Sequence, residues 1–446
     1  MKTHIVRFVS AVCMGVGVFS LGLLTACGGA KYERGIVPFA EAERDVSVRV
    51  HPFEGDLATV VIGVRAGSAH DPVGQEGLAW LTAEQVRHSE ELRTRVTSWD
   101  GRLSVDVGGE LVVFTLEVPT AKSAEAVGAL AKAIAQPAFS EDAFELSKAE
   151  GIQWLNEGLG SSAARLAEEA FGLWVYQGHP YGHASQGRAG VLDTLTVQDV
   201  QRFFERRYIR PALTIAHTGN LPEEAAKALQ TKLSQRPARL YTDVTPRPVP
   251  PVRDLQVMAL VQSGSIPGVY LGHPIDVKVG DKAWAALALA KSAIEPTASL
   301  DALTGAGHLQ QTVGLWFSAD GEQSATALLD AAITGVSTWV DEGVGEHGFE
   351  QAKIRLSSRI DEALSVPAVV LKDTVEGALL RYPATLSALR THLESLTLTD
   401  VNAVLAERVD PGALRVVVLA DEWKAPTETD KNSVETHIVP TEGLFR

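Results

Sequence analysis

A six-residue string, Leu195-Thr-Val-Gln-Asp-Val200, recurs as Leu396-Thr-Leu-Thr-Asp-Val401, and the weaker matches around it keep their order. Glu205-Arg206 falls beside Glu407-Arg408, and Ala212-Leu213 beside Ala413-Leu414. Earlier in each copy, Phe144-Glu-Leu-Ser-Lys148 falls beside Phe349-Glu-Gln-Ala-Lys353. The offset drifts only from 205 to 201 residues, whereas chance similarities would scatter. One unit of about 200 residues has been used twice, which restricts the chain to two like-built halves and their connections.

Within the first unit, residues 46–50 and 58–64 are β-branched runs on either side of the turn-like His51-Pro-Phe-Glu-Gly55, and they read as a strand pair. A helix starts near Gly77, and residues 92–99 then lead to Asp100-Gly101, a tight-turn dipeptide. Residues 102–107 and 111–118 predict two strands joined through Gly108-Gly109. Helical spacing returns at 123–135, then from the cap-like Ser140-Glu-Asp-Ala-Phe144 to about residue 176, with a break near 158–162. The loop Gly178-His-Pro-Tyr-Gly182 follows, then a helix over 196–207 capped by Thr194 or Thr196, and a closing strand at 213–217. This order predicts an α+β unit, a mixed sheet packed by helices. Proline density over 235–254 predicts an extended linker. The expected domains are therefore 37–234, the linker, 255–425 and a tail at 426–446.

Both cysteines, Cys13 and Cys27, lie in the first 27 residues, which leaves the body of the chain without a disulfide framework, a thiol nucleophile or a cysteine-based metal site. Lys2 and Arg7 precede an apolar run over 8–24, and Leu24-Thr-Ala-Cys27 follows directly. That string resembles the lipobox of bacterial lipoproteins, beside the alternatives of a transmembrane anchor or a soluble secretion signal. The resemblance implies loss of residues 1–26, lipidation of Cys27 and a tether over 27–36. Gly28-Gly29, in place of an aspartate after the cysteine, implies an outer-membrane protein facing the periplasm if the source is Gram-negative. A formal net charge of -15 argues against a nucleic-acid partner.

The stretch Gly74-Gln-Glu-Gly-Leu-Ala-Trp-Leu-Thr-Ala-Glu-Gln85 follows an apolar run and a polar turn. Taken with His179-Pro-Tyr-Gly182, Asp199, Tyr208, Pro211, Gly219-Asn220 and the repeated strings, it resembles the pitrilysin/insulinase family of zinc peptidases over roughly residues 40–425. The resemblance implies two duplicated peptidase-like units forming a half-clamshell. In that family Gly-Leu-Ala leads into His-x-x-Glu-His, whose histidines bind zinc and whose glutamate activates water, with a third ligand from a later helix. Here the five motif positions are Trp80, Leu81, Thr82, Ala83 and Glu84, so both histidines and the glutamate base are missing. Glu150 and Glu157 are the acids nearest the third-ligand position. The segment Glu295 to His308 lacks the arginine and tyrosine that the family uses on substrate.

Replacement ligands are sparse. His179 and His183 are four apart, but Pro180 and Gly182 place them in a loop. His88, followed by Glu90 and Glu91, lies just past the degenerate motif and reads as part of a charged helix face. No phosphate-binding loop, Gly-x-Ser-x-Gly elbow or dinucleotide fingerprint occurs. The expectation is no catalytic residue (degenerate positions Trp80, Ala83 and Glu84), no metal site and no cofactor, although the family implies zinc. The sequence reads as a lipid-anchored, non-catalytic homologue, a partner of an active peptidase or a binder of unfolded peptides, joined to the membrane through Cys27. Two other readings stand beside it: an active zinc endopeptidase with a displaced site, and a structural envelope lipoprotein.

Overall fold

The computed structural model describes residues 32–36, 45–53, 55–239, 242–246, 248–249, 255–295, 311–321, 323–423, 435–440 and 444. The leader, Cys27 and, beyond Glu295, the segment expected to lack the arginine–tyrosine pair lie outside them. Short turns aside, the chain runs β1 (Tyr32–Ile36), β2 (Ser47–His51), β3 (Leu57–Val64), α1 (Leu78–Arg87), α2 (Glu90–Ser98), β4 (Arg102–Val107), β5 (Val112–Pro119), α3 (Ser123–Ala135), α4 (Glu141–Gln153), α5 (Ala163–Val175), α6 (Val197–Arg207), β6 (Leu213–Thr218) and α7 (Glu223–Ser234). It continues with β7 (Thr242–Pro246), β8 (Gln256–Val261), β9 (Gly268–Ile275), α8 (Lys282–Ile294), β10 (Gln311–Ser318), α9 (Ala325–Glu342), α10 (Glu346–Ser365), α11 (Pro367–Leu380), α12 (Thr385–Ser395), α13 (Leu398–Arg408), β11 (Arg415–Ala420) and β12 (Glu435–Pro440). Among the described residues no helix is long and apolar enough to cross a membrane.

Two mixed sheets carry the α+β architecture, ordered β2-β6-β3-β5-β4 and β12-β8-β11-β9-β10. In each, the closing strand (β6 or β11) runs parallel to the opening one (β2 or β8). It runs antiparallel to the second strand (β3 or β9), which pairs antiparallel with the third (β5 or β10). This shared four-strand arrangement is the repeat in three dimensions. The repeated strings also do the same local work in both copies. Thr196 and Asp199 form a capping box at the start of α6, and Thr397 and Asp400 form its twin at the start of α13. Phe144 and Phe349 are buried, and the lysine one turn on lies over each ring, at 5.3 and 5.6 Å.

Each sheet is covered on both faces, and the two units exchange the covers. Helices α1 and α3 pack on one face of the first sheet, around Val60, Ile62, Phe114 and Ile215. On the other face, Val61, Val113 and Ala216 meet Leu371, Val375 and Leu379 of α11, which belongs to the second unit. Gly63 lies where a Cβ would overlap Val375, so the glycine lets α11 sit directly on β3. The second sheet has α8, α9, α10 and α13 on its outer face. Its inner residues Met258, Leu260, Val417 and Leu419 join the first unit's core, under α5. Phe171 of α5 stacks obliquely on Tyr270 of β9 at 5.1 Å. Covered faces explain why β3 is buried from Ala58 to Val64 instead of alternating.

Three expectations need correction. Strands β2 and β3 share a sheet but do not pair, because β6 lies between them. β6 is buried throughout and takes the inner position, while the partly exposed β2 is left at the edge. The tether and the proline-rich linker are more than connections: as extended strands β1 and β7 they pair antiparallel, with Tyr32 opposite Pro246. Proline sits at the strand end, where its missing N–H costs the ladder least. The tail contributes β12, which runs parallel to β8 from Glu435 opposite Gln256 and belongs to the second sheet.

Candidate functional site

Helix α1 carries the five degenerate motif positions, and its start is fixed by buried polar chemistry. Asp71 accepts the Gly77 N–H at Oδ2 and the Ala79 N–H at Oδ1, each at 2.7 Å. These two bonds satisfy orphan donors of the first turn. Burial pushes the Asp71 carboxyl well above the usual carboxylate range, against the pull of those two bonds. Gly77 has φ 107°, in the left-handed region, and a Cβ there would lie 2.6 Å from the Gln186 carbonyl oxygen and the Leu192 side chain. The glycine of Gly-Leu-Ala is thus needed for backbone conformation and for close packing of the 186–192 segment.

Along α1, Leu81, Thr82 and Ala83 point into the core, and the Thr82 hydroxyl donates back to the Leu78 carbonyl at 2.6 Å. Trp80 is half-buried, with its six-membered ring against α4. A Cβ on Gly151 would stand 2.7 Å from that ring, so the indole fills the gap between α1 and α4. The next residues form a charged constellation. Glu84 Oε2 accepts from both Nε and Nη2 of Arg87. The same Nη2 donates to Glu150 Oε2 at 2.8 Å and lies 3.0 Å from His88 Nε2. The two hydrogens of Nη2 are matched by the two carboxylate oxygens, and His88 Nε2 completes the cluster around them. His88 Nε2 also stands 3.3 Å from Glu84 Oε2 and 3.4 Å from Glu150 Oε2. The side chains of Glu84 and His88 are nearly buried, at 6% and 9% exposure, while Arg87 and Glu150 reach solvent.

The structure regroups the candidates named from sequence. His88 meets Glu84 and Glu150 and not the neighbouring acids; Glu91 pairs with Lys132 at 2.6 Å and Arg95 at 3.4 Å. The Lys132 ammonium holds the exposed Glu91 carboxyl below its usual range. Glu157 lies in a π-helical turn after α4 and receives the Gln153 amide at 3.1 Å. His179 accepts the Tyr181 N–H at Nδ1, between the rings of Tyr176 and Tyr181, and burial lowers its pKa to about 4. His183 donates from Nδ1 to the Ala184 carbonyl, and burial also lowers its pKa. Among the described residues, Glu84, His88 and Glu150 are the one group of three His, Cys, Asp or Glu ligands close enough to share an ion. Sequence reasoning missed Arg87, although Glu84, Arg87 and His88 have the i, i+3 and i+4 spacing of one helix face.

Zinc does not fit this arrangement as it stands. The indole of Trp80 offers no ligand lone pair at the first motif position. The three donors nearby, Glu84 Oε2, His88 Nε2 and Glu150 Oε2, all face the Arg87 guanidinium. A dication and a guanidinium repel each other and compete for the same lone pairs. No metal-dependent step follows from the observed side chains.

No family model matches the sequence, and neither does any curated protein. Solved structures do. A peptidase M16 inactive domain from Pseudomonas fluorescens superposes with a TM-score of 0.73 at 16% identity, over 88% of this chain and 99% of that one. A protease from Helicobacter pylori gives 0.73 at 14% identity, over 87% and 99%. The chain has the M16 peptidase fold. A chain of complex III2 from Candida albicans shares it with a TM-score of 0.66 at 13% identity, over 89% and 98%. The M16 fold is the pitrilysin/insulinase-type architecture that the sequence resemblance implies. At these identities the likeness shows the fold alone, and function has to be argued from the residues of α1 and α4.

Proposed function

We propose that this chain is a non-catalytic M16-type protein of the cell envelope, anchored through lipidated Cys27, which acts as the partner subunit of an active homologue or binds unfolded peptides. One observation carries the reading: the metal position of α1 holds an indole and an internal ion pair, while the two-unit architecture is kept intact. The lipobox-like Leu24-Thr-Ala-Cys27 supports the anchor, and Gly28-Gly29 supports the outer membrane. The similar structures include an M16 inactive domain and a chain of complex III2, which supports a role without proteolysis and within an assembly.

Crosslinking of the native membrane followed by capture of this chain tests the subunit role. The expected result is co-capture of a peptidase homologue that carries an intact His-x-x-Glu-His motif. Recovery of this chain alone would remove the subunit role and leave peptide binding, which titration of the purified chain with unfolded peptides measures directly. A second reading, an active endopeptidase with a displaced site, draws on the proximity of Glu84, His88 and Glu150. It requires peptide cleavage by the purified chain that is lost in His88→Ala; the proposed function predicts no cleavage to lose.

A further inference from the structure

We propose that Glu84, His88 and Glu150 form a latent divalent-cation site whose cation position is held by the guanidinium of Arg87. The site overlaps the one the motif positions would make at Glu84 and Glu150 but differs from it in its histidine. It is displaced one turn along α1, uses His88 in place of a histidine at position 80 or 84, and is occupied from within the chain.

The three donor atoms lie within 4.8 Å of one another, close enough to share an ion. Zinc–nitrogen and zinc–oxygen bonds of about 2.0–2.2 Å in a tetrahedron place neighbouring ligand atoms roughly 3.3–3.6 Å apart. His88 Nε2 stands 3.3 Å from Glu84 Oε2 and 3.4 Å from Glu150 Oε2. Two carboxylates that converge on one nitrogen repel each other, and a cation between them offsets that repulsion. That cation is Nη2 of Arg87, which contacts all three donor atoms. The ring nitrogen that faces Arg87 at 3.0 Å, His88 Nε2, is the one that faces both carboxylates and that a metal would take.

Charge and exposure complete the argument. Two carboxylates and one guanidinium leave the cluster one negative charge in excess, which a dication in place of Arg87 would neutralise. Glu84 and His88 are nearly buried and held by α1, whereas Arg87 is 39% exposed and is the member that can leave without unpacking the core. The fourth tetrahedral position would then be open to water. Arg87 is thus a positioning residue with a second effect: it preassembles the donors and excludes the metal that would fit them.

The test uses the full chain, carrying no polyhistidine tag, titrated with cobalt(II) at neutral pH. Visible absorption is the first readout, and calorimetric titration with zinc(II) the second. The native chain is expected to bind weakly and without the intense bands of four-coordinate cobalt. Arg87→Met, and separately Arg87→Gln, should bind one equivalent at least about tenfold more tightly, with those bands present. Adding His88→Ala to either variant should abolish the gain. Circular dichroism and the urea midpoint establish that each variant is folded, and using two replacements keeps the test alive if one is not. Stoichiometric binding by the native chain as tight as by Arg87→Met would overturn the proposal. So would no gain in either folded variant, or a gain that survives His88→Ala. Peptide cleavage is scored separately, so the proposed function fails on cleavage or capture and the latent site fails on metal titration.

Discussion

At Gly151, one missing methyl group decides how α1 meets α4. A Cβ at that position would press on the Trp80 ring from 2.7 Å and would also meet Leu192 at 3.3 Å. Gly151→Ala should therefore cost about 1–3 kcal/mol in urea unfolding, the usual range for overpacking. In a Trp80→Ala background the same change should cost far less, since the clash is gone. Equal costs in both backgrounds would show that Trp80 does not fill the gap. His179 sets a pH dependence. Its pKa, lowered by burial to about 4, lies below the ordinary value of 6.5, so the unfolded chain binds the extra proton between those limits. Its contribution to stability is complete above pH 6.5 and is lost as pH falls towards 4, by roughly 1–3 kcal/mol. His179→Asn keeps an acceptor for the Tyr181 N–H and should flatten that limb of the stability curve. An unchanged slope would place the titration elsewhere.

The elements show which signals were local. Both helix starts were legible because the repeated Leu-Thr strings announce them within one turn; the structure puts the first cap on Thr196 and adds capping boxes, with Asp199 and Asp400, that the sequence reading did not name. The twins are not equal in setting, however. Asp199 also accepts from Gln75 and pairs with Arg202, whereas Asp400 has Lys282 at 3.0 Å. Thr196→Ala should cost about 1 kcal/mol, and Asp199→Ala should lower the urea midpoint more than Asp400→Ala. The reverse order would mean that the link from α6 to Gln75 adds nothing. Non-local pairings were illegible for a physical reason. The partner of β2 arrives more than 160 residues later in β6, and nothing in the two β-branched runs near residue 50 declares that a third strand will separate them. The Glu84–Arg87–His88 face could be read from α1, but its completion by Glu150 depends on how α4 lies across it. The tail hid a strand because a sheet edge recruits any β-branched run that can reach it, and Thr436-His-Ile-Val439 does.

At the scale of the whole molecule, the exchange of α5 and α11 couples the units. Leu371 is fully buried against the first unit's sheet. Leu371→Ala should cost about 2–5 kcal/mol and lower the unfolding of both halves together. Calorimetry of the native chain is expected to give one transition; two well-separated ones would mean that the helices do not bind the units into a single cooperative body. The crossed helices also restrict motion. Prising the sheets apart would wet Val61, Val113 and Ala216 on one side and Met258, Leu260, Val417 and Leu419 on the other. The seam is therefore a spine, which resists opening of the chain between its two sheets. A jaw formed with the proposed partner subunit would have to hinge between the two chains and not within this one.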